Sequence, residues 1–124
     1  MIDFNNSSFV KLAPADAEAT AQELAGLLIE GERVAAAFRG MRDYVAFTDK
    51  RLIVVNVQGI TGKKKDFTSL PYNKIQSFSV ETAGTFDLDA ELDLWFSGLG
   101  KVRLEFTSSV DIRWISQFIG YYTL

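Results

Sequence analysis

The sequence predicts a mainly β fold: seven strands arranged as an antiparallel barrel or two packed antiparallel sheets, capped by a C-terminal α-helix, with an extra N-terminal helix. Three observations lead there. From Phe86 to Phe96 apolar and polar residues alternate strictly, with Phe86, Leu88, Ala90, Leu92, Leu94 and Phe96 on one side, the period of a strand with one dry face. From residue 33 to 107, short segments rich in Val, Ala, Phe and Ile are separated by hairpin-sized breaks. Beyond Ser108 the period lengthens to that of a helix. So many strands cannot lie flat and open without exposing edges, so closure or sheet-on-sheet packing is the economical arrangement.

Taken in order, residues 1–13 show no period and are predicted to be an arm. Residues 14–30 are predicted to be a helix, with Ala17, Ala21, Leu24 and Leu28 on one face, Pro14 in the first turn and Gly31 as the stop. Residues 33–39, 43–48 and 51–58 form a predicted meander, broken at Gly40 and at Asp49-Lys50. Strands over 64–69 and 75–82 follow, separated by Leu70-Pro71, and then the alternating strand 86–96 pairs with 101–107 through Ser97-Gly-Leu-Gly100. Ser108 and Asp111 resemble a capping box, and Ile112, Ile115, Phe118, Ile119 and Tyr122 recur at helical spacing, so the closing helix is placed at 108–122. Residues 14–124 are thus predicted to be a single domain.

With 13 Lys plus Arg against 16 Asp plus Glu, the net charge is −3, and no basic stripe marks a nucleic-acid binder. The chain has neither Cys nor His, which removes thiolate nucleophiles, His-based triads and zinc or iron centres. No catalytic set, metal site or cofactor is predicted. The N-terminal residues lack a charged and then apolar leader pattern, and no apolar run approaches the ~20 residues that cross a bilayer. A water-soluble protein of the cytoplasm is expected.

Several strands are apolar on both sides: Leu52 and Val54 oppose Ile53, Val55 and Val57, and Ala35 and Ala37 oppose Val34, Ala36 and Phe38. One interior cannot hold both faces, so either the N-terminal helix or another subunit must cover the second. Ala35, Ala37, Leu52 and Val54 are therefore candidate contacts between copies. Arg51, Lys74 and Glu81 are candidates for polar contacts across such a junction. Trp95, the one indole on the wet side of the alternating strand, suits either a cation or a contact surface.

Two charged sets remain. Lys63-Lys-Lys65 is the strongest cationic cluster and the candidate for binding anionic head groups, although Gly59-Ile-Thr-Gly-Lys63 lacks the spacing of a phosphate loop. Asp87, Asp89, Glu91 and Asp93 form an acidic stripe, but carboxylates ~7 Å apart on a strand do not converge on one cation. Cross-strand pairing is the better role. Of the two registers parity allows, the predicted one sets Trp95 opposite Lys101 and Asp93 opposite Arg103, because the other sets Asp93 against Glu105.

The segments Gly31-Glu-Arg-Val, Phe47-Thr-Asp-Lys-Arg-Leu-Ile-Val, Gly59-Ile-Thr-Gly-Lys-Lys-Lys65, Leu70-Pro-Tyr-Asn-Lys-Ile75 and Val80 to Glu91, in this order, resemble the bacterial pleckstrin-homology (PH-like) domain family. The resemblance implies a seven-stranded PH-like barrel capped by a C-terminal helix. It further implies assembly into homo-oligomeric rings, five-fold in the first instance, and no established enzymatic activity or ligand. The expected function is a non-enzymatic interaction module whose ring presents a composite surface to an unidentified protein partner. The alternative is binding of anionic lipid or phosphate head groups at a membrane surface through Lys63, Lys64 and Lys65.

Overall fold

The computed structural model describes residues 1–124. Eight strands are formed: β1 (Phe9–Ala15), β2 (Val34–Arg39), β3 (Tyr44–Thr48), β4 (Arg51–Gln58), β5 (Lys64–Pro71), β6 (Ile75–Glu81), β7 (Ala90–Phe96) and β8 (Gly100–Phe106). Helix α1 (Ala17–Glu23) follows β1, and helix α2 (Ile112–Thr123) ends the chain. The strands make one sheet in the order β5-β4-β3-β2-β1-β8-β7-β6, which does not close. The expected barrel of seven strands in two sheets is therefore corrected to a single eight-stranded open sheet with β5 and β6 as its edges.

The added strand is β1, which falls within residues expected to be an arm and the start of a helix. It pairs antiparallel with β2 (Ala13↔Arg39, Ala15↔Ala37) and parallel with β8 (Phe9↔Leu104, Leu12↔Phe106), joining the two halves. Its buried residues are Phe9 and Leu12, three apart, because Lys11 at φ 54° bulges the strand between them. That bulge erases the period of two that marks a strand in sequence. Pro14 is accommodated because it lies beyond the last pairing with β8, where its missing N–H leaves no bond unmade.

Helix α1 is shorter than the expected 14–30. Pro14 and Ala15 belong to β1, and the Asp16 side chain caps the helix by accepting from the Glu18 N–H at 3.1 Å. After Glu23 the chain continues as turns rather than helix, with the Leu27 and Leu28 N–H groups both directed at Leu24 O. Leu24 is wholly buried there.

Two cores result. The larger lies on the concave side of the sheet, where Val45, Phe47, Leu52, Val54, Leu92, Leu94, Val102 and Leu104 meet Ile112, Ile115 and Ile119 of α2. Asp111 caps α2 by accepting from the Trp114 N–H at 3.1 Å, and Phe118 packs edge-on to Phe47 and Tyr72. The smaller core lies on the opposite face: Tyr44, Ala46, Ile53 and Val55 are buried beneath Leu24, with Leu28, Val34 and Val57 at its border. Strands β3 and β4 thus find their second cover in the chain's own Leu24 and Leu28, whereas Ala35 of β2 stays exposed. Each large aliphatic side chain removed from water here, such as Leu24, Ile53 or Val55, contributes about 1.5–3 kcal/mol.

Candidate functional site

The β2–β3 and β4–β5 loops are tied together at one end of the strands. Arg42 Nη2 donates to Gly59 O, and Asp43 Oδ1 accepts from the Val57 N–H at 2.9 Å and from Asn56 Nδ2 at 3.3 Å. Gly59 and Gly62 take positive φ at the tip, as this turn requires. Lys63, Lys64 and Lys65 are all exposed here but do not converge. Lys64 pairs with Gln58 and Lys65 with Val57, so the two project to opposite faces of β5. Lys65 faces the Glu23 side, where its charge helps hold that carboxyl below its usual range, behind the hydrogen bond from Arg39. Sequence reasoning missed the neutral half of this end: Met41 and Ile60 at the loop tips are fully exposed. The visible signal was an apolar residue inside each glycine-bounded turn, Gly40-Met-Arg-Asp43 and Gly59-Ile-Thr-Gly62.

The acidic stripe is divided. Asp87 and Asp89 lie outside β7, in the loop 82–89, where Gly84 N–H donates to Asp87 O at 2.6 Å and Asp89 N–H to Asp87 Oδ1 at 3.1 Å. Such local bonds compete with strand pairing, so the strand expected from Phe86 begins at Ala90 instead. Within β7 the register is as predicted, Trp95↔Lys101 and Asp93↔Arg103. Arg103 holds Asp93 through two bonds, Nε to Oδ1 at 2.8 Å and Nη2 to Oδ2 at 3.0 Å, and its Nη1 lies 3.7 Å from Glu91. The guanidinium keeps Asp93 below the ordinary carboxylate range. Glu91 is pushed the other way, by burial and then by sharing a hydrogen bond with Glu81. No cluster of three or more acidic side chains is arranged to hold a metal ion.

The candidate contacts between copies divide in the same way. Leu52 and Val54 are wholly enclosed in the concave core and Ala37 is buried, so these three are unavailable to a neighbour, a correction that follows from the strands being covered on both sides. Arg51 is committed within the chain: its guanidinium bonds Glu32 at 2.8 and 2.9 Å, Ser69 Oγ at 2.7 Å and Leu27 O at 2.9 Å. Thr48 Oγ1 donates to the same buried Glu32 at 2.6 Å. Ala35, Lys74, Glu81 and Trp95 remain at the surface. Ala35 lies in an open trough of about 370 Å³ with Pro14, Ala15, Ala17, Val110 and Trp114, on the outside of the junction between β1, β2 and α2.

The model of the family described as "Bacterial PH domain" matches residues 3–123. The chain belongs to the bacterial PH domain family. Among relatives of this PH domain in Bacillus subtilis (strain 168), the uncharacterized protein YjqA is 62% identical over 80 residues, and the chain spans 64% of its length. The uncharacterized protein YozO is 37% identical over 92 residues, 74% of the chain and 79% of that protein. Among solved structures, a DUF1696 family protein with a pleckstrin-homology domain from Shewanella loihica PV-4 superposes with a TM-score of 0.83 at 42% identity, over 93% of the chain and 99% of that protein. The pleckstrin homology domain from Shewanella amazonensis SB2B gives 0.70 at 42% identity, over 96% and 93%. The PH-like fold of the present chain is thereby shared with close structural relatives. No helix is long and apolar enough to cross a membrane.

Proposed function

We propose that this PH-like domain is a non-enzymatic interaction module of the cytoplasm that assembles into a homo-oligomeric ring and presents a composite protein-binding surface. The observation that carries the reading is the apolar trough floored by Ala35 and walled by Trp114. Its small side chains admit close approach of a partner, and an exposed indole at its margin is the residue type that most often anchors a protein contact. Family membership supports an interaction role, and the absence of His and Cys leaves little catalytic chemistry to set against it. Light scattering on the purified chain tests the ring. The expected mass is a multiple of 13.8 kDa, five-fold by family resemblance, and Ala35→Arg should weaken whatever the trough holds. A compact monomer at all micromolar concentrations rejects the reading.

A second reading is favoured by the loop tips. Met41 and Ile60 stand beside Arg42, Lys63 and Lys64, the combination with which a peripheral domain enters the head-group region of an anionic bilayer, where each cation contributes about 1 kcal/mol. Here the ligand is an anionic lipid or phosphate head group. Flotation with anionic vesicles decides it: binding lost on changing Lys63, Lys64 and Lys65 to Ala supports it, and no binding rejects it.

A further inference from the structure

We propose that the free edge of β6, from Ser77 to Glu81, accepts an extended peptide as an added strand, one that carries a lysine or arginine opposite Glu81. This gives a partner class to the interaction module above; it rests on that part of the reading and not on the ring.

The two edges of the sheet differ. β5 is blunted: Lys64 and Lys65 begin it, Pro71 ends it, and the Ile2 N–H donates to its Thr68 Oγ1 at 3.2 Å. Lysine, proline and covering chain are devices by which sheets refuse further strands. β6, Ile75-Gln-Ser-Phe-Ser-Val-Glu81, has a bulge at its start, between Ile75 and Ser77, and then pairs regularly with β7 through Glu81. No Lys or Pro interrupts it, and no strand lies on its other side. Its outward N–H and C=O groups are a template for strand addition.

Pleat sets what the added strand must carry. Ser77, Ser79 and Glu81 stand opposite Trp95, Asp93 and Glu91 on the outer face, and Glu91 stands in turn opposite Glu105. Glu81 is the edge member of this glutamate row, and it enters no ion pair. Arg103 lies 3.7 Å from Glu91 but gives its two hydrogen bonds to Asp93. Glu91 already holds its proton more tightly than usual, through burial and then the hydrogen bond with Glu81. A cation opposite Glu81 completes the row, whereas an acid there adds another negative charge.

The inner face sets the rest. Phe78 and Val80 are half-buried against the core on which α2 packs. Gly120 lets the helix come close, since a Cβ there would lie 3.8 Å from the Phe78 ring and 3.6 Å from Leu124 Cδ1. Leu124 itself is fully exposed. Apolar residues of the added strand opposite Phe78 and Val80 find cover at this end of α2, and polar ones belong opposite Ser77 and Ser79. A second copy of β6 does not fit, because the strand contains no cation. A second copy's β5 has lysines but is the blunted edge.

The probe is a short acetylated, fluorescently labelled peptide that begins with Lys and then alternates Val and Thr, so that antiparallel addition sets the Lys opposite Glu81. Binding to the full chain is read by anisotropy and located by amide hydrogen exchange. The expected result is saturable binding with slowed exchange in β6, about tenfold weaker when the peptide's Lys is replaced by Glu. A Glu81→Lys chain, its folding verified by circular dichroism, should reverse that preference. N-methylation of alternate peptide amides should abolish binding for the set that faces β6 and spare the other set. Equal binding of the Lys and Glu peptides, slowed exchange elsewhere than β6, or no binding overturns the proposal. So does a β6 whose amides are all protected in the free protein, because a neighbouring copy then holds the edge. Light scattering on the same samples separates the two readings: a monomer that binds as described removes the ring and leaves this site, and an oligomer that does not bind removes this site and leaves the ring.

Discussion

Glu91 stands directly opposite Glu105 in the β7–β8 ladder, and Glu81 flanks it from β6. The contact follows from parity. The register that sets Asp93 on Arg103 and Trp95 on Lys101 also brings these glutamates together, and sliding it by two residues would set Asp93 on Glu105 instead. A slide of one residue would turn the dry face outward. The sheet thus satisfies one strong pair and retains one like-charge row, softened by Arg103 at 3.7 Å from Glu91.

Glu91→Gln should therefore stabilise the domain at neutral pH. In the folded chain the Glu91 carboxyl holds its proton more tightly than usual, because of burial and then the hydrogen bond with Glu81. A carboxyl raised in this way contributes stability that is fully present below its unfolded value of about 4.3 and lost as pH rises through the folded value. The expected gain for Gln is a few tenths to about 1 kcal/mol at pH ~7, vanishing near pH ~3, well below the unfolded value, where both states of the unmodified chain are protonated. Thermal melts of both proteins at the two pH values check it; an equal or larger gain at the lower pH contradicts the assignment.

Arg51→Ala should be among the costliest polar substitutions. It strips the cation from Glu32, whose side chain is fully enclosed, and breaking such a pair on one side costs about 3–5 kcal/mol. Burial alone would raise the Glu32 carboxyl, but the bonds from Arg51 and Thr48 outweigh it and hold it below the ordinary range. Its contribution is accordingly present above the unfolded value of about 4.3 and lost as pH falls through the folded one. Urea denaturation should show the Arg51→Ala deficit shrinking on acidification, whereas a cost below ~1 kcal/mol at neutral pH would mark the pair as merely superficial.

Tyr72→Phe removes a single buried bond, from the phenol to Thr48 O at 2.7 Å. The expected cost is about 0.5–1.5 kcal/mol. Burial also pushes the phenol's ionisation far above the usual tyrosine range, so its ultraviolet titration should be silent until the protein unfolds in alkali.

What was legible in the sequence was whatever depends on local period and on parity. The seven strands from Val34 onward, the closing helix and the Asp93–Arg103 register follow from alternation and spacing. β1 was hidden because its order comes from two distant partners, β2 and β8, and because the bulge at Lys11 spaces its buried residues by three. The length of α1 was overstated because an Ala-rich period continues past Glu23 in the sequence, while Leu24 is drawn into the sheet as a roof. Among the candidate site residues, Lys63, Lys64 and Lys65 are contiguous in sequence, but strand pleat sends Lys64 and Lys65 to opposite faces. The loops that carry Met41 and Ile60 are joined only because Arg42 and Asp43 tie them across the sheet.

The same roof supports a final prediction, on Leu24→Ala. Leu24 is wholly buried over Tyr44, Ala46, Ile53 and Val55, so its truncation opens a cavity and should cost about 2–5 kcal/mol. The result also identifies what covers the outer face of β2–β4. If residues 24–28 do so within one chain, the loss measured by urea denaturation is the same at low and high protein concentration. If a neighbouring copy shared the cover, the deficit would shrink as concentration rose, because association would restore the missing contact by mass action. Concentration independence together with the large loss is the expected result, and it would assign the cover of this face to the chain itself.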